Sequence, residues 1–473
     1  MHSEVVVLGG GPGGYAAAFL AADLGMQTTI VEQEPRLGGV CLLRGCIPSK
    51  ALLHVAKMID EARELADWGV EYQEPRISID KLRARKEKVI STLSGGLSQL
   101  AKRRKVRVIH ARATFFDSNT LQLEGGDPST YENASLTYDK LVLAAGSSPA
   151  MPGFFKTESD RVMDSTGALE LPDIPEKLLV VGGGYIGLEM GTVYAELGSQ
   201  VSVVELTDGL LLGADRDLVK PLQKRLESLF KNIWLGTKVT GLEDQGDKIE
   251  VQFEGPHKNG SEAFDRVLVC VGRRPNSQGL GLENTQVEID DKGFVKVDQR
   301  RMTADPSIFA IGDIAGEPML AHKAAHEGRL AIEVIHGESV IWDKQAIPAV
   351  VFTDPEIAWA GLTQQEAEQQ QREVEIATYP WQASGRAQAL GRTEGLTKLI
   401  IEPETNRLLG CGIVGVGAGD LISEAVLAIE MGCDATDLAE TIHPHPTLSE
   451  TVAFAGEVQL GTATEIYKPK RRK

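Results

Sequence analysis

The chain has 473 residues, of which 42% are hydrophobic, and a formal net charge of -18. This length exceeds what one hydrophobic core spans and predicts three or four domains of about 100 to 200 residues. The acidic balance argues against a nucleic-acid-binding protein, which needs a basic surface. The basic stretch Lys468–Lys473 is interpreted as a solvated chain terminus.

The same composition bears on the cellular compartment. No apolar run approaches the ~18 residues of a membrane span, and Met1 is followed almost at once by a predicted strand, which leaves no room for a signal peptide. We therefore expect a cytoplasmic protein with no membrane contact. Five cysteines, an odd number, do not predict a secreted disulfide framework. The close pair Cys41 and Cys46 is then interpreted as catalytic or metal-binding.

The chain opens with the pattern of a dinucleotide-binding fold. A short apolar strand, a glycine turn, a helix and a second strand are predicted over Glu4–Leu8, Gly9–Gly14, Tyr15–Leu24 and Thr28–Val31. In this pattern Gly9 makes the tight turn, Gly11 lets a pyrophosphate approach the backbone, and Gly14 packs the helix on the strand. Glu32, at the end of the second strand, can accept a hydrogen bond from a ribose hydroxyl. The spacing predicts a nucleotide site at this turn.

Two cysteines separated by four residues follow the second strand. They lie in Gly38–Lys50, which reads Gly-Gly-Val-Cys-Leu-Leu-Arg-Gly-Cys-Ile-Pro-Ser-Lys. Pro48 suits the first turn of a helix, and apolar residues recur after it at helical spacing. Cys41 and Cys46 are therefore predicted where a loop enters a helix, whose N-terminus favours thiolate over thiol. At least one of them should be easily ionised and reactive.

A long charged segment comes next. Asp80–Lys105 has helical spacing with many charges on one face, interrupted at Ser94–Gly96. This spacing predicts a long helix before a strand at Val106–His110. A charged helix face is usually solvated, so no chemistry is assigned to it.

The glycine pattern occurs a second time. A shift of 173 residues relates five positions of the first copy to the second, namely Gly9 to Gly182, Gly11 to Gly184, Gly14 to Gly187, Gly25 to Gly198 and Glu32 to Glu205. Apolar strands that stop at a glycine, Leu141–Gly146 and Val267–Gly272, end both copies. Matches at one offset predict a duplicated domain and hence two dinucleotides. The thiol pair just past the first copy predicts electron transfer between two nucleotides through a dithiol.

Several segments together carry a family resemblance. They are the cysteine stretch, both glycine fingerprints, Ile308–Asp313 (Ile-Phe-Ala-Ile-Gly-Asp), Val351–Ile357, Gly361–Thr363 and His443–Glu450 (His-Pro-His-Pro-Thr-Leu-Ser-Glu). Nearly end to end, the chain resembles the flavin-dependent pyridine nucleotide disulfide oxidoreductases. The resemblance implies an α/β fold with two Rossmann-like domains, a small central domain and a C-terminal α+β dimerisation domain. It implies limits of 1–150 for the FAD-binding domain, 151–274 for the NAD-binding domain, 275–345 for a central domain completing the FAD site, and 346–473 for the interface domain.

The resemblance also implies a role for individual residues. Cys41 would exchange with substrate and Cys46 would lie beside the flavin ring. Lys50 would lie near the reactive flavin nitrogen and pair with Glu189. Further flavin contacts would come from Ala113, Gly146, Asp313, Met319, Leu320, Ala321 and His322, beside Gly9, Gly11, Gly14 and Glu32. The NAD contacts would be Gly182, Gly184, Gly187, Glu205, Val239 and Gly272.

Glu205 also predicts which pyridine nucleotide is used. A 2'-phosphate beside this carboxylate would be repelled, and Leu206-Thr207-Asp208 follows with no arginine. NAD is therefore preferred over NADP.

His445 and Glu450 are the candidate proton acceptor and its orienting group. Disulfide exchange requires a thiolate, and histidine titrates in the range needed to take a proton from an incoming dithiol. A glutamate bonded to the other ring nitrogen would fix the tautomer. His443 is interpreted as a packing or hydrogen-bonding residue. In the family the base reaches the dithiol of the other subunit, so the resemblance implies a homodimer with shared active sites.

The activity implied by the resemblance is the oxidation of a dihydrolipoyl group, on a carrier protein or a small dithiol, with reduction of NAD to NADH. Electrons would pass from the substrate to Cys41, then Cys46, the flavin and NAD. A place in a 2-oxo acid dehydrogenase or glycine cleavage complex would follow.

The departures from the family pattern leave alternatives open. Val40, Leu43 and Arg44 stand at variable places of the cysteine stretch, and Arg44 is interpreted as facing solvent. Another disulfide or quinone reductase of the family is one alternative. Glutathione reductase would need arginines for an anionic peptide and usually uses NADP, and mercuric reductase would carry a second cysteine pair near its C-terminus. From a different class, the two cysteines, His443 and His445 could form a zinc site in a nucleotide-sensing regulatory protein, although the His-x-His spacing is tight for zinc.

Overall fold

A computed structural model describes residues 1–467. The basic stretch Lys468–Lys473, predicted to be a solvated terminus, lies outside the described residues. The elements of the first 150 residues are β1 (His2–Leu8), α1 (Pro12–Asp23), β2 (Thr28–Glu32), α2 (Gly39–Arg44), α3 (Cys46–Glu64), α4 (Ile79–Arg103), β3 (Arg107–His110), β4 (Arg112–Asp117), β5 (Thr120–Glu124), β6 (Ser135–Leu143) and β7 (Ser147–Pro149).

The middle of the chain continues with β8 (Val162–Met163), α5 (Ser165–Leu169), β9 (Lys177–Val181), α6 (Tyr185–Glu196), β10 (Gln200–Val204), α7 (Arg216–Leu229), β11 (Asn232–Trp234), β12 (Lys238–Asp244), β13 (Ile249–Glu254), β14 (Gly260–Phe264), β15 (Arg266–Val269), β16 (Arg273–Pro275), β17 (Ile308–Ala310) and α8 (Ala321–His336). The last part contains β18 (Ala349–Val351), β19 (Glu356–Gly361), α9 (Gln364–Gln369), β20 (Glu375–Pro380), α10 (Gly385–Leu390), β21 (Leu396–Ile401), β22 (Leu408–Gly415), α11 (Ala418–Met431), α12 (Ala435–Glu440) and α13 (Glu450–Leu460).

The first sheet is built around the N-terminal strand. Strands β3, β2, β1 and β6 lie in this order and are parallel, and β5 and β4 continue the sheet in antiparallel fashion. Strand β17 also pairs with β6, in parallel. The chain therefore returns to this sheet after residue 300, which brings the segment after β17 to the carboxyl ends of the strands, where nucleotides bind in such folds.

The second sheet repeats the first in miniature. Strands β11, β10, β9, β15 and β8 lie in this order and are parallel, and a three-stranded antiparallel sheet of β12, β13 and β14 packs beside them. The third sheet is a five-stranded antiparallel one in the order β18, β19, β22, β21 and β20, with α11 and α13 packed on it. The observed layers agree with the implied α/β class and with an α+β C-terminal part. The domain limits stay a prediction.

The helix that follows the first glycine turn starts earlier than predicted. It begins at Pro12 instead of Tyr15, because Gly11 is extended (φ -77°, ψ -175°) and Pro12 has the backbone angle that a first helical position needs. The strand before it starts at His2. Both differences are small extensions of predicted elements.

The two cysteines lie on two successive helices. Cys46 is the first residue of α3, as the predicted helix entry requires, but Cys41 lies inside the short helix α2 and not in a loop. Gly38 (φ +135°) precedes α2 and Gly45 separates it from α3. The six-residue helix was missed because two flanking glycines conceal it.

The long helix predicted over the charged segment is confirmed. Helix α4 runs unbroken from Ile79 to Arg103. Gly95 and Gly96 keep helical geometry, although glycine costs a helix roughly 1 kcal/mol relative to alanine. Ser94 is buried and donates a hydrogen bond of 2.8 Å to the backbone oxygen of Leu37. Tertiary packing at this point therefore compensates for the weak local propensity.

One helical stretch is apolar for long enough to match a membrane span. Gly39–Trp68 meets the length and hydropathy required, contrary to the expectation that no run approaches that length. Gly45 breaks it into two helices with non-helical backbone (φ -144°, ψ -116°). Helix α3 packs on α4 and α6. The core helix of a folded domain satisfies the same criterion.

Candidate active site

The first glycine turn closes around the backbone so tightly that side chains are excluded. Gly9 has φ +112°, and a Cβ there would lie 2.3 Å from the carbonyl oxygen of Ala144. A Cβ on Gly14 would lie 1.8 Å from the carbonyl oxygen of Gly9. A Cβ on Gly11 would lie 3.7 Å from the Cα of Gly39. The tight turn predicted at Gly9 and the helix packing predicted at Gly14 are present, and the approach of a pyrophosphate to Gly11 stays a prediction.

The second turn reproduces the first. Gly182 has φ +109°, and a Cβ there would lie 2.4 Å from the carbonyl oxygen of Cys270. A Cβ on Gly187 would lie 2.4 Å from the carbonyl oxygen of Gly182. The end of β15 therefore closes this turn in the way that the end of β6 closes the first. This geometry confirms the duplication predicted from the shift of 173 residues.

The acid that ends the second strand of each copy is fixed by backbone hydrogen bonds. Glu32 accepts from Gly10 N at 2.6 Å and from Glu34 N at 2.9 Å. Glu205 accepts from Gly183 N at 2.6 Å and from Thr207 N at 2.8 Å, which is the same pattern. Burial raises the pKa of Glu32, while these two backbone bonds oppose that shift. Each carboxylate is held at the edge of its glycine turn, where a ribose would lie.

The fixed Glu205 carboxylate leads to a prediction about coenzyme choice. We expect kcat/KM with NAD to exceed that with NADP by about 100-fold or more, because the 2'-phosphate would meet a held negative charge. Glu205→Gln, which keeps an acceptor oxygen and removes the charge, should narrow that ratio about tenfold. Initial rates with both coenzymes measure it. Asp208→Asn, an exposed neighbour, is the matched control. A ratio near one in the unmodified protein contradicts the role of Glu205.

A cleft of about 1090 Å³ lies in front of the first turn. It is lined by nine of the residues predicted to hold FAD, namely Gly9, Gly11, Glu32, Lys50, Ala113, Gly146, Asp313, Met319 and Ala321. Its volume and its backbone donors fit a large dinucleotide. Leu320 and His322 are not among its lining residues, and His322 Nε2 lies 2.8 Å from the carbonyl oxygen of Pro348. Their predicted contact with the flavin ring stays a prediction.

Asp313 is fixed by partners that the sequence did not reveal. It accepts a hydrogen bond of 2.5 Å from Ser147 Oγ, which in turn accepts one of 2.7 Å from Arg273 Nε. Ser147 and Arg273 both line the cleft. Each comes directly after a glycine that ends a predicted strand, and this position in the sequence could have indicated that they lie at the site. The chain Arg273–Ser147–Asp313 joins three separate segments at one wall of the cleft.

The NAD-side residues lie at the second turn rather than in this cleft. Gly272 has φ +132°, next to the strand end that closes the turn. Val239 is buried in the hydrophobic cluster of β12 with Trp234 and Phe253, so its backbone is the part available to a ligand. Tyr185 and Ile186, at the start of α6, line the cleft. Helix α6 therefore joins the second turn to the first cleft.

The two thiols lie together at the cleft wall. Both are free in this structure, and Cys41 donates a hydrogen bond to the sulfur of Cys46. This bond, together with the nearby charge of Lys50, lowers the pKa of Cys46 to about 7. The same bond and burial raise the pKa of Cys41 well above its usual range, against the opposing effect of Lys50. The prediction that one cysteine of the pair ionises easily is confirmed, and that cysteine is Cys46.

This assignment gives a pH prediction. Cys41→Ala removes the donor, so the pKa of Cys46 should rise above 7 and its thiolate fraction at neutral pH should fall. The rate of alkylation of Cys46 by iodoacetamide in the reduced protein, followed from pH 5 to 10, reports the midpoint. Cys433→Ala, a change outside the cleft, should leave the midpoint near 7. An unchanged midpoint in Cys41→Ala would show that the donor has no effect.

Lys50 is held by an ion pair across two domains. Its Nζ lies 2.7 Å from Glu189 Oε2, and Glu189 is buried on α6. The other carboxylate oxygen of Glu189 accepts from Phe352 N at 3.0 Å, and Lys50 Nζ lies 4.5 Å from the centre of the Phe352 ring. The predicted pair is therefore formed. It ties the first turn of α3, next to Cys46, to the helix that follows the second glycine turn.

The histidine and glutamate of the C-terminal part also form the expected pair. His445 Nδ1 lies 2.8 Å from Glu450 Oε1, and Glu450 Oε2 accepts from Thr447 N at 2.7 Å. The His445 side chain is 79% exposed, whereas Glu450 is nearly buried at 11%. The glutamate therefore fixes one ring nitrogen and leaves the other facing outward. His445 is not among the residues that line the cleft of its own subunit within the described chain.

His443 has a different environment from His445. Its ring nitrogens lie 2.8 Å from the carbonyl oxygen of Thr441 and 2.6 Å from Glu424 Oε1, and its side chain is 7% exposed. This confirms the interpretation of His443 as a packing and hydrogen-bonding residue. Within residues 1–467 the alternative zinc ligands do not come together, since no group of three or more histidine, cysteine, aspartate or glutamate side chains could hold a metal ion.

Thiol–disulfide chemistry proceeds through a thiolate. Cys46, the thiol with the lowered pKa, lines the nucleotide cleft. The fold and this cleft define a nucleotide-dependent disulfide oxidoreductase. A model of the pyridine nucleotide-disulphide oxidoreductase family matches residues 3–328, and the model of that family's dimerisation domain matches residues 347–455. The chain belongs to this family, its cofactors are FAD and NAD, and its C-terminal part forms a homodimer.

Comparison with individual proteins gives full-length matches. The chain is 50% identical over 474 residues to a dihydrolipoyl dehydrogenase of Vibrio cholerae, which covers 100% of this chain and 99% of the relative. It is 41% identical over 470 residues to the dihydrolipoyl dehydrogenase of Bacillus subtilis, covering 99% and 98%. Among solved structures, LpdA of Mycobacterium tuberculosis superimposes with a TM-score of 0.88 at 26% identity, covering 96% and 99%. The flavoprotein disulfide reductase RclA of Escherichia coli gives 0.85 at 26% identity, covering 97% and 99%.

Proposed function

We propose that this chain is a dihydrolipoyl dehydrogenase, which oxidises a dihydrolipoyl dithiol to the cyclic disulfide and reduces NAD to NADH. The observation that carries the proposal is the Cys41–Cys46 pair, with its ionised member in a cleft lined by the nucleotide-binding residues. The full-length relatives of this name support the choice of substrate. The held Glu205 carboxylate, followed in the sequence by Leu206-Thr207-Asp208 with no arginine, supports NAD.

The dithiol half-reaction uses the roles proposed for Cys41, Cys46 and His445. In the oxidised enzyme the two cysteines form a disulfide. His445 takes the proton of the first substrate thiol, and the resulting thiolate attacks the sulfur of Cys41 and displaces Cys46 as a thiolate. The second substrate thiol then attacks the first, which releases the lipoyl disulfide and leaves Cys41 as a thiol. The substrate has lost two electrons, and the two cysteines have gained them.

The electrons then rest on the cysteine that the structure stabilises as a thiolate. Cys46 is stabilised by the Cys41 donor and by Lys50, so the reduced pair keeps its negative charge at the cleft-facing sulfur. FAD bound in the cleft supplies the two-electron chemistry that links this dithiol to the nicotinamide ring. Lys50, Glu189 and Asp313 line the cleft that would hold it. Lipoyl-carrying proteins of a 2-oxo acid dehydrogenase or glycine cleavage complex are the partners that this activity would serve.

One assay tests the proposal directly. The purified, FAD-loaded dimer is given NAD with either dihydrolipoamide or reduced glutathione, and NADH formation is followed at 340 nm. We expect rapid turnover with dihydrolipoamide and at least about 100-fold less with glutathione, because the full-length relatives are dihydrolipoyl dehydrogenases. Absence of turnover with dihydrolipoamide, while the flavin is bound, contradicts the proposed function. Turnover with glutathione alone would assign the chain to another disulfide reductase.

A further inference from the structure

Arg44, the residue between the two cysteines, does not face solvent as predicted. Its Nη2 lies 2.7 Å from Glu34 Oε1, and the two side chains are 32% and 29% exposed. Both residues line the same cleft as the thiols. Its partner Glu34 is ten residues upstream, beyond the end of β2, so the sequence around Arg44 does not indicate the pair. The pair joins the helix of Cys41 to the carboxyl end of that strand.

Glu34 is a rigid anchor for this ion pair. Its backbone N–H donates to Glu32 Oε1 at 2.9 Å, and its carbonyl oxygen lies 2.7 Å from His110 Nδ1 on the neighbouring strand. Glu32 is in turn bonded to Gly10 of the first glycine turn. Glu34 is therefore connected by hydrogen bonds both to the sheet and, through Glu32, to the turn that would hold the pyrophosphate.

The helix on the other side of the pair has few fixed points of its own. Helix α2 has six residues, of which only Leu42 is buried, and no side chain caps its first N–H groups. Glycines with non-helical backbone, Gly38 and Gly45, flank it. A helix this short is not stable by itself, because ordering its first turn costs more free energy than the hydrogen bonds of one turn contribute. Its position, and that of Cys41, depends on tertiary contacts, among which the Arg44 ion pair is charge-assisted.

The charges at this wall also need Arg44. Glu32 and Glu34 place two carboxylates at the end of β2, where burial and the second carboxylate both raise the pKa of Glu32. Arg44 acts in the opposite direction on the same group. The arginine therefore helps Glu32 to stay ionised, as an acceptor for the ribose hydroxyls.

We propose that Arg44 is a positioning residue that, with Glu34, straps the Cys41 helix to the end of β2 and thereby retains FAD in the cleft. The inference rests on the proposed function only in taking FAD as the occupant of the cleft. The strap spans the wall between the glycine turn and the thiols. Breaking it frees α2 to move away from the sheet and opens a path for the adenosine half of the cofactor to leave.

The test measures FAD release from the intact holoenzyme. Flavin fluorescence rises on release, so dilution of the loaded dimer into buffer gives a first-order rate. Arg44→Met should accelerate release about five- to tenfold, the effect of losing one charge-assisted hydrogen bond. Arg36→Met is the matched control, since Arg36 lies near the same helix and pairs with Glu87 at 2.5 Å with both side chains at least 40% exposed. It should change the rate by less than about twofold.

A double-mutant cycle separates a strap from general damage to the fold. Glu34→Met, which removes the acceptor oxygens, should match Arg44→Met, and the double variant should be no faster than either single variant, because all three break one interaction. Arg44→Lys, which keeps a cation able to reach Glu34, should restore release to within about twofold of the unmodified rate. Additive effects, or a wild-type rate in Arg44→Met, overturn the strap.

The outcome is independent of the substrate assay. If the unmodified dimer fails to oxidise dihydrolipoamide, the proposed function is wrong, and the release rates still decide the strap. If turnover is normal and release is unaffected by Arg44→Met, only the strap is wrong.

Discussion

Replacing Cys46 with serine should reduce dihydrolipoamide-dependent NADH formation by about 1000-fold or more, because no disulfide can form and the cleft-facing thiolate is lost. Serine is nearly isosteric, so the fold and the bound flavin should be retained. Residual turnover is measured by NADH formation, and retained FAD by its absorbance after gel filtration. Cys433→Ser, the same substitution in the C-terminal part, should keep near-normal turnover.

The comparison with Cys41 sharpens this prediction. Cys41→Ser should abolish dithiol oxidation to the same extent but leave Cys46 as a thiol that still ionises, since the serine hydroxyl can replace the donor. Alkylation by iodoacetamide at pH 7 should therefore remain fast in Cys41→Ser and disappear in Cys46→Ser. If both variants lose alkylation equally, Cys46 is not the easily ionised thiol. If Cys46→Ser keeps substantial dithiol turnover, the disulfide pathway itself is wrong.

Features set by short stretches of sequence were predictable. The two glycine turns, the acid after each second strand and the duplication all depend on backbone conformations that only glycine allows and on spacing that the sequence displays. The contact between His445 and Glu450 was likewise predictable, because four residues that form one turn separate them. In each case the partners are close in sequence, so the local pattern already contains the geometry.

Features that depend on tertiary partners were not predictable in this way. Helix α2 is too short and too glycine-flanked for periodicity to reveal it, and α4 continues through Gly95 and Gly96 because packing around Ser94 overrides local propensity. Arg44 lies within a loop-like sequence, and nothing local indicates that Glu34 will accept its charge. Ser147, Arg273 and Asp313 belong to three separate segments of the chain, and only the assembled fold brings them together.

The exposed ring of His445 suggests where its proton acceptor function is exercised. Glu450 holds one nitrogen inside its own subunit, and the other faces outward from a domain whose family role is dimerisation. We therefore expect His445→Gln to lower kcat with dihydrolipoamide by about 100- to 10000-fold, the usual range for loss of a general base. Reduction of an artificial one-electron acceptor by NADH needs no thiol proton transfer and should be unchanged. His257→Gln, an exposed histidine elsewhere, is the control substitution.

Mixed dimers decide whether His445 acts on the thiols of the other subunit. One subunit carries His445→Gln and the other carries Cys46→Ser, and differently tagged chains allow the heterodimer to be purified by two affinity steps. In the trans arrangement one of the two sites then has intact cysteines from the first subunit and an intact histidine from the second, so activity should return to about half of the normal value. In the cis arrangement neither site is complete. Heterodimers with no more activity than the two parent homodimers would therefore place His445 in the site of its own chain.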